Sequence, residues 1–333
     1  MFRKCYWIML EISSPRGIIG LLRQRGEEMD VIQVSGFSKN YGALQAVKHV
    51  SFTVAEGSVF GILGPNGAGK TTTMECMIGL KNRTAGKITV LGLDPEKHRH
   101  ELFSDVGVQL QETVYQSAAK VFELCQLFSS MYKKPLDYRN LLDRFDLASK
   151  TKSSIGSLSG GQRQKLAIVL ALIANPKIIF LDELTTGLDP GARREIWTYI
   201  RRLQSEGRTI IMTTHYMEEA SLLCDQICLI NQGEIVARGT VDEVITQAQI
   251  DLVITFETDG DVRSLLKDLP KMGHMKQEDS VVTIYTSSEE TLTDLILKLS
   301  AASIPYRKIK ITYPELEEAF LKLVNPTMKG AVS

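Results

Sequence analysis

The chain has 333 residues, of which 44% are hydrophobic and 23% charged, so wholesale disorder is excluded and more than one packed core is expected. Lys and Arg number 39 together, as do Asp and Glu, and a zero balance leaves no whole-chain basic footprint for nucleic acid. The longest purely apolar run, residues 166–174, is far short of the ~20 residues of a helical membrane span, and the five cysteines form neither a disulfide framework nor a zinc pattern, which agrees with reduced thiols in the cytoplasm.

Taken in chain order, residues 1–28 carry scattered Arg and Lys and only short apolar pieces, interrupted by Glu11, Pro15 and Arg16. They lack the continuous apolar core of a signal peptide. Residues 1–29 are therefore expected to be an extension without stable structure, the product of a start codon placed too early. From about 30 to 245, short β-branched runs alternate with helical stretches. The runs 59–63, 178–181 and 209–212 are continuously apolar or β-branched, as suits strands buried on both faces of a parallel sheet with helices packed against it. Segment 117–150 lacks strand-like runs and places Val121, Leu124, Cys125 and Phe128 at helical spacing, which predicts a small helical insertion. After a join at residues 247–249, segments 251–256, 262–269, 272–276, 281–285, 290–300 and 308–311 read as strand, helix, strand, strand, helix, strand. That order predicts a small ferredoxin-like α+β domain over 250–325, ending in an extra helix at 315–324, with no clustered catalytic residue types.

Three places in the first region carry chemistry. Gly64-Pro65-Asn66-Gly67-Ala68-Gly69-Lys70-Thr71 matches the phosphate-loop pattern GxxxxGK[ST], with a strand before it and a helix running on through Thr72. Glycines let successive backbone N–H groups converge on an anion, the helix N-terminus adds a positive dipole end, Lys70 reaches β- and γ-phosphates, and Thr71 offers a hydroxyl to Mg²⁺. The bland reading is a glycine-rich turn with a solvated lysine. Next, 178–181 is an apolar strand that ends in Asp182 and Glu183, and a dry strand ends in adjacent acids when they meet solvent, a metal or a base partner. Asp182 suits Mg²⁺ and Glu183 suits a general base, although two surface acids at a strand end are also common. Third, Leu158-Ser159-Gly160-Gly161-Gln162 precedes a strong helix at 163–174; Ser159 can cap it, and the glycines let backbone amides approach an anion.

Together these motifs resemble the ATP-binding cassette (ABC) ATPases, whose signature is LSGGQ, and the resemblance runs over about 30–245. It implies a P-loop NTPase of the ABC type: a parallel-sheet core, an antiparallel β subdomain and a helical subdomain. It also implies further site residues. Tyr41 falls where the family stacks an aromatic on adenine, or is simply a strand-packing Tyr. Gln111 resembles the glutamine that touches Mg²⁺ and senses the membrane partner, with Gln109 as a competitor. Asp189 resembles the aspartate before the following helix, where Asp189-Pro190 is also a good helix start. His215 resembles the switch histidine that contacts the γ-phosphate. Leu184 departs from the family, which usually has proline after the catalytic Glu; no reacting group is lost, and the loop is expected to be less rigid.

In the family, two copies stack head to tail and bury two ATPs between them. The resemblance thus implies ATP and Mg²⁺ as ligands. Lys70, Thr71, Asp182, Glu183, Gln111 and His215 would lie on one side of each nucleotide, with Ser159, Gly161 and Gln162 of the other copy, or of a paralogue, across the interface. Thr312-Tyr313-Pro314-Glu315-Leu316-Glu317-Glu318-Ala319-Phe320-Leu321 resembles the ending of drug- and antibiotic-export ATPases of the daunorubicin-resistance type. The glycine-proline-asparagine of the loop and the run around His215 agree with that group. The implied function is ATP hydrolysis that powers separate integral membrane permease subunits, at the cytoplasmic face of the membrane and with no nucleic-acid partner. Two alternatives stand beside it: a soluble ABC ATPase acting in a non-transport process, and a nucleotide-binding module without turnover.

Overall fold

In a computed structural model, residues 29–111 and 115–324 are described. The expected N-terminal extension lies outside them, apart from Met29. The chain divides after Val241 into two compact units, earlier than the join expected at 247–249.

The first unit opens with β1 (Asp30–Tyr41) and β2 (Leu44–Ala55), which pair antiparallel, followed by β3 (Val59–Leu63), α1 (Lys70–Met77), β4 (Ala85–Val90), α2 (Arg99–Leu102) and β5 (Val106–Gln109). The helical insertion supplies α3 (Val121–Ser130) and α4 (Tyr138–Arg144). Then come α5 (Gly160–Leu172), β6 (Ile178–Asp182), α6 (Pro190–Ser205), β7 (Thr209–Thr214), α7 (Met217–Leu223), β8 (Gln226–Asn231) and β9 (Glu234–Gly239). A six-stranded sheet has the order β5-β6-β7-β3-β8-β9; all neighbours are parallel except the β8–β9 hairpin. A separate antiparallel sheet has the order β2-β1-β4.

Strand alternation explains how one sheet serves two cores, because successive side chains point to opposite faces. Phe60, Ile178, Phe180 and Ile211 enter a cluster with Phe52, Val54 and Ile88 of the antiparallel sheet and Met74 and Met77 of α1. Their neighbours Val59, Ile179, Leu181 and Ile210 enter the other cluster, with Leu166 and Val169 of α5, Ile196 and Ile200 of α6, and Val121 and Leu142 of the helical insertion. Phe52 and Phe60 stack with centroids 5.1 Å apart, which joins the two sheets through the first cluster. α5 and α6 start where the sequence offers caps. Ser159 Oγ accepts from the Gln162 amide while Gln162 Oε1 accepts from the Ser159 amide, and Asp189 Oδ1 accepts from the amides of Gly191 and Ala192 beside Pro190.

The second unit contains α8 (Val241–Gln247), which begins at its boundary, then β10 (Leu252–Glu257), α9 (Arg263–Leu266), β11 (Met272–Glu278), β12 (Val281–Thr286), α10 (Glu290–Ala301), β13 (Arg307–Thr312) and α11 (Leu316–Val324). Its antiparallel sheet has the order β11-β12-β10-β13, which is the ferredoxin-like arrangement of a βαββαβ chain. Ile254, Phe256, Val282, Ile284, Leu295 and Leu299 form its core. α9 is shorter than the helix expected at 262–269. Pro270 follows Leu269, and the residue before a proline is steered away from helical angles.

Candidate nucleotide site

The phosphate loop links β3, every residue of which is buried, to α1. Gly64 has φ +154°, and a Cβ there would lie 2.0 Å from the Ile230 carbonyl oxygen; Gly69 has φ +106°, and its Cβ would lie 2.6 Å from the Ala46 carbonyl oxygen. Neither position admits a side chain. Gly69 begins α1 without a side-chain cap, so the first amides of the helix remain available to an anion. Thr72 is half-buried in the first turn of α1, Ala68 is buried, and Pro65, Asn66 and Gly67 are exposed along the rim.

Lys70 is 4% exposed. Its Nζ donates to the carbonyls of Gly64 (2.9 Å) and Pro65 (3.2 Å) and pairs with Glu183 Oε1 at 3.2 Å. Glu183 Oε2 accepts from Gln111 Nε2 at 2.9 Å and stands 3.6 Å from His215 Nδ1. Three residues from three segments thus converge on one buried carboxylate. Glu183 has φ +46°, and its amide donates to Thr213 Oγ1, which fixes this turn at the end of β6. His215 Nδ1 is itself buried and makes no hydrogen bond.

Asp182 lies beside this group. Its Oδ1 accepts from Thr213 Oγ1 (2.5 Å) and from Thr71 Oγ1 (3.3 Å), while its buried Oδ2 has no hydrogen-bond partner. Burial pushes the Asp182 carboxyl above its ordinary range, and the Thr213 and Thr71 hydroxyls pull the other way. An orphaned carboxylate oxygen next to a threonine hydroxyl is a hard-oxygen donor pair that fits Mg²⁺. Among the described residues no group of three or more His, Cys, Asp or Glu forms a complete metal cage.

Gln109 turns inward instead. It is 5% exposed, its Oε1 accepts from the Asp182 amide, and its Nε2 donates to the Leu110 carbonyl. Of the two candidate glutamines, Gln111 is the one that meets Glu183.

The remaining candidates sit at the starts of two helices and at the end of β1. Ser159 and Gly160 are exposed, and Gly161 and Gln162 half-buried, at the start of α5; Asp189 is exposed at the start of α6. These two starts adjoin, since a Cβ on Gly161 would lie 3.1 Å from Ala192 Cβ. Tyr41 is 40% exposed at the end of β1, with Lys39 Nζ 4.8 Å and Lys81 Nζ 5.5 Å from its ring centre. Leu184 is 3% exposed in the core with Ile179 and Leu181, so packing anchors the loop in which flexibility was expected.

Thr213, which holds both acids, escaped the reading of the sequence. The signal was present: Thr213 and Thr214 end β7 as Asp182 ends β6, polar groups closing an apolar strand. Cys5 lies outside the described residues. Cys76, Cys125, Cys224 and Cys228 are unpaired, and burial raises the Cys76 thiol to about 11 and those of Cys125 and Cys228 to about 12.

The ABC transporter family profile matches residues 47–186. The chain is 33% identical over 300 residues to the daunorubicin resistance ATP-binding protein DrrA3 of Streptomyces coeruleorubidus, covering 88% of this chain and 95% of that one. It is 34% identical over 310 residues to the Nod factor export ATP-binding protein I of Ralstonia nicotianae, covering 90% and 95%, and 30% identical over 310 residues to the linearmycin resistance ATP-binding protein LnrL of Bacillus subtilis, covering 90% and 100%. Among solved structures, cbiO1 of Clostridium perfringens, described as part of the ABC transporter complex cbiONQ, aligns with a TM-score of 0.59 at 26% identity, covering 73% of this chain and 97% of that one. With its P-loop, paired acids and signature in one α/β cassette, the chain belongs to the ABC transporter family, as an ATP-binding and ATP-hydrolysing subunit of the daunorubicin-resistance type.

Proposed function

We propose that this subunit drives an exporter from the cytoplasmic face of the membrane, by closing on a second copy of itself around two ATP molecules and passing that motion to separate membrane-spanning permease subunits. The observation that carries the reading is an asymmetry. Lys70, Gln111 and His215 converge on the buried Glu183 carboxylate, whereas Ser159 and Gly160 lie exposed at the start of α5. Each copy therefore has half of a site to offer the other. No helix among the described residues is long and apolar enough to cross a membrane, so the path for cargo belongs to other subunits. The export direction follows the drug-resistance and Nod-factor-export names of its relatives.

The residues divide the work as follows. Tyr41 stacks on the adenine. The amides of Gly67–Thr72 and the Lys70 ammonium surround the β- and γ-phosphates. Thr71 and Asp182 hold Mg²⁺, with Gln111 beside them, and the ion supplies charge neutralisation on the phosphate oxygens. Glu183 takes the proton of the attacking water as oxygen bonds to the γ-phosphorus and the bond to ADP breaks. His215 donates to the γ-phosphate oxygens. Ser159, Gly160, Gly161 and Gln162 of the partner copy close the far side, with Asp189 lining the seam. Neither copy alone surrounds the γ-phosphate, so ATP acts as the adhesive and hydrolysis releases it. Residues 30–241 form the motor, and the second unit is an accessory domain.

Isolation from native membranes tests the assignment. Mg²⁺-dependent ATP turnover with co-purification of a multi-span protein supports it. Co-purification with ribosomes or DNA in place of a membrane protein would transfer the chain to a non-transport process, and ATP binding without turnover would leave a regulatory module.

A further inference from the structure

Outside the nucleotide cluster, one acid is buried in a way that the reaction leaves unexplained. Glu219 is 1% exposed, in α7, four residues after His215. One of its oxygens, Oε1, accepts from Thr185 Oγ1 at 2.9 Å and from Trp197 Nε1 at 3.0 Å. Thr185, also 1% exposed, lies two residues beyond Glu183. Trp197 belongs to α6, the helix that Asp189 caps. A single atom thus ties together the segments that carry the base, the switch histidine and the exposed aspartate. A second strap runs parallel to it: the Arg193 guanidinium of α6 lies 4.2 Å from the Tyr216 ring centre, and that ring lies 4.2 Å from the His215 ring.

Burying a carboxylate is costly, and the cost is offset where charge-assisted hydrogen bonds hold it. An acceptor with two lone pairs and a fixed seat is a good device for holding two donors at a set separation. We propose that Glu219 is a positioning residue: it sets the distance between the Glu183 turn and the Asp189 helix, so that movement of α6 at the face where a second copy docks is transmitted to Glu183 and His215. The inference rests on the ATP-hydrolysing reading above and deepens it.

The test uses the full chain and two readouts. Nucleotide bound per chain counts competent molecules; turnover per bound nucleotide reads the geometry. Glu219→Ala is expected to bind ATP with unchanged stoichiometry and an affinity within about threefold, and to turn over about tenfold more slowly. Glu219→Gln keeps a carbonyl acceptor and is expected to recover at least about half of the wild-type rate. Thr185→Val, which removes one donor with little change in shape, is expected to slow turnover several-fold, and combining it with Glu219→Ala is expected to add little, since the hydrogen bond it removes is already lost in Glu219→Ala. A Glu219→Ala rate per bound nucleotide equal to wild type overturns the proposal, as does a Gln variant no better than Ala. If Glu219→Ala fails to fold, Thr185→Val and Trp197→Phe decide: wild-type turnover in both overturns it. Absence of turnover in the wild-type chain would count against the ATPase reading instead, a separate result.

Discussion

Lys70 Nζ stands 3.2 Å from Glu183 Oε1, and the two side chains are 4% and 6% exposed. The lysine that receives phosphate and the acid that activates water thus hold each other. Each compensates the other's burial, and each is diverted from its own task while the pair lasts.

Breaking this pair from one side has a calculable effect. Lys70→Met leaves Glu183 buried with the Gln111 amide as its donor but without its ammonium, and is expected to destabilise the first unit by about 3 kcal/mol and to abolish tight ATP binding. Adding Glu183→Gln should recover a good part of the stability and none of the binding. Urea unfolding of the wild type, both single variants and the double variant gives the coupling; additive losses would mean that the pair contributes no mutual stabilisation.

Glu183→Gln alone separates binding from chemistry. The amide cannot take a proton from water, so turnover is expected to fall at least about a hundredfold, while ATP binding persists and holds two copies together. Light scattering on a sizing column, with and without ATP, reads the dimer. Wild-type turnover in this variant would remove Glu183 from the role of base.

Ser159 has two tasks that substitution can split. It caps α5 through the Gln162 amide, and it is proposed to face the γ-phosphate of the partner's ATP. Ser159→Ala should cost about 1 kcal/mol of stability from the cap. Ser159→Asn keeps a capping oxygen and should stay within a few tenths of a kcal/mol of wild type. Both are expected to prevent the ATP-held dimer in the Glu183→Gln background. Survival of the dimer in either would confine Ser159 to its local role.

The metal has its own test. Asp182→Asn removes a charge from the oxygen pair that fits Mg²⁺, and is expected to raise the Mg²⁺ needed for half-maximal turnover at least about tenfold while ATP still binds. Chelation should stop the wild-type enzyme entirely. An unaltered Mg²⁺ requirement in the variant would place the ion elsewhere.

An acid-dependent contribution sits in the antiparallel layer. Arg83 grips Asp94 with both terminal nitrogens, at 3.0 and 2.7 Å, and holds its carboxyl below the ordinary value of 3.8. A depressed folded-state value stabilises the fold above that ordinary value, and the contribution is lost as pH falls through the lower one. Asp94→Asn should therefore flatten the stability profile below about pH 4 and cost stability at neutral pH. Unfolding midpoints at pH 3 to 7 compare the two; parallel profiles would refute the linkage.

The site was legible where its chemistry is local. Lys70 and Thr71 follow buried β3 through the phosphate loop, Asp182 ends buried β6 and Glu183 follows it, and these strand ends bring the four together. Gln109 and Gln111 could not be separated by spacing, because positions two apart share a side in extended chain; only the end of β5 at Gln109 turns one to the Asp182 amide and frees the other for Glu183. Glu219 was illegible for a different reason. With Glu218 it begins a helix, where acids suit the dipole and are usually solvated, and it is the packing of α6 against α7 that buries one of the two. The second unit's strand order was readable from the sequence of elements, whereas the length of α9 turned on a single proline.

The hairpin between β8 and β9 has a bearing on protein engineering. At its tip the Gly233 amide donates to the Ala68 carbonyl, and the Gly233 carbonyl accepts from the Lys48 amide, while Ile230 crowds Gly64. Gln232 beside it is exposed and lies far along the chain from the motifs, the kind of spot chosen for a tag or a new terminus. Opening the chain there would slacken the anion cradle from behind, and the cassette would lose its grip on nucleotide with every signature residue intact.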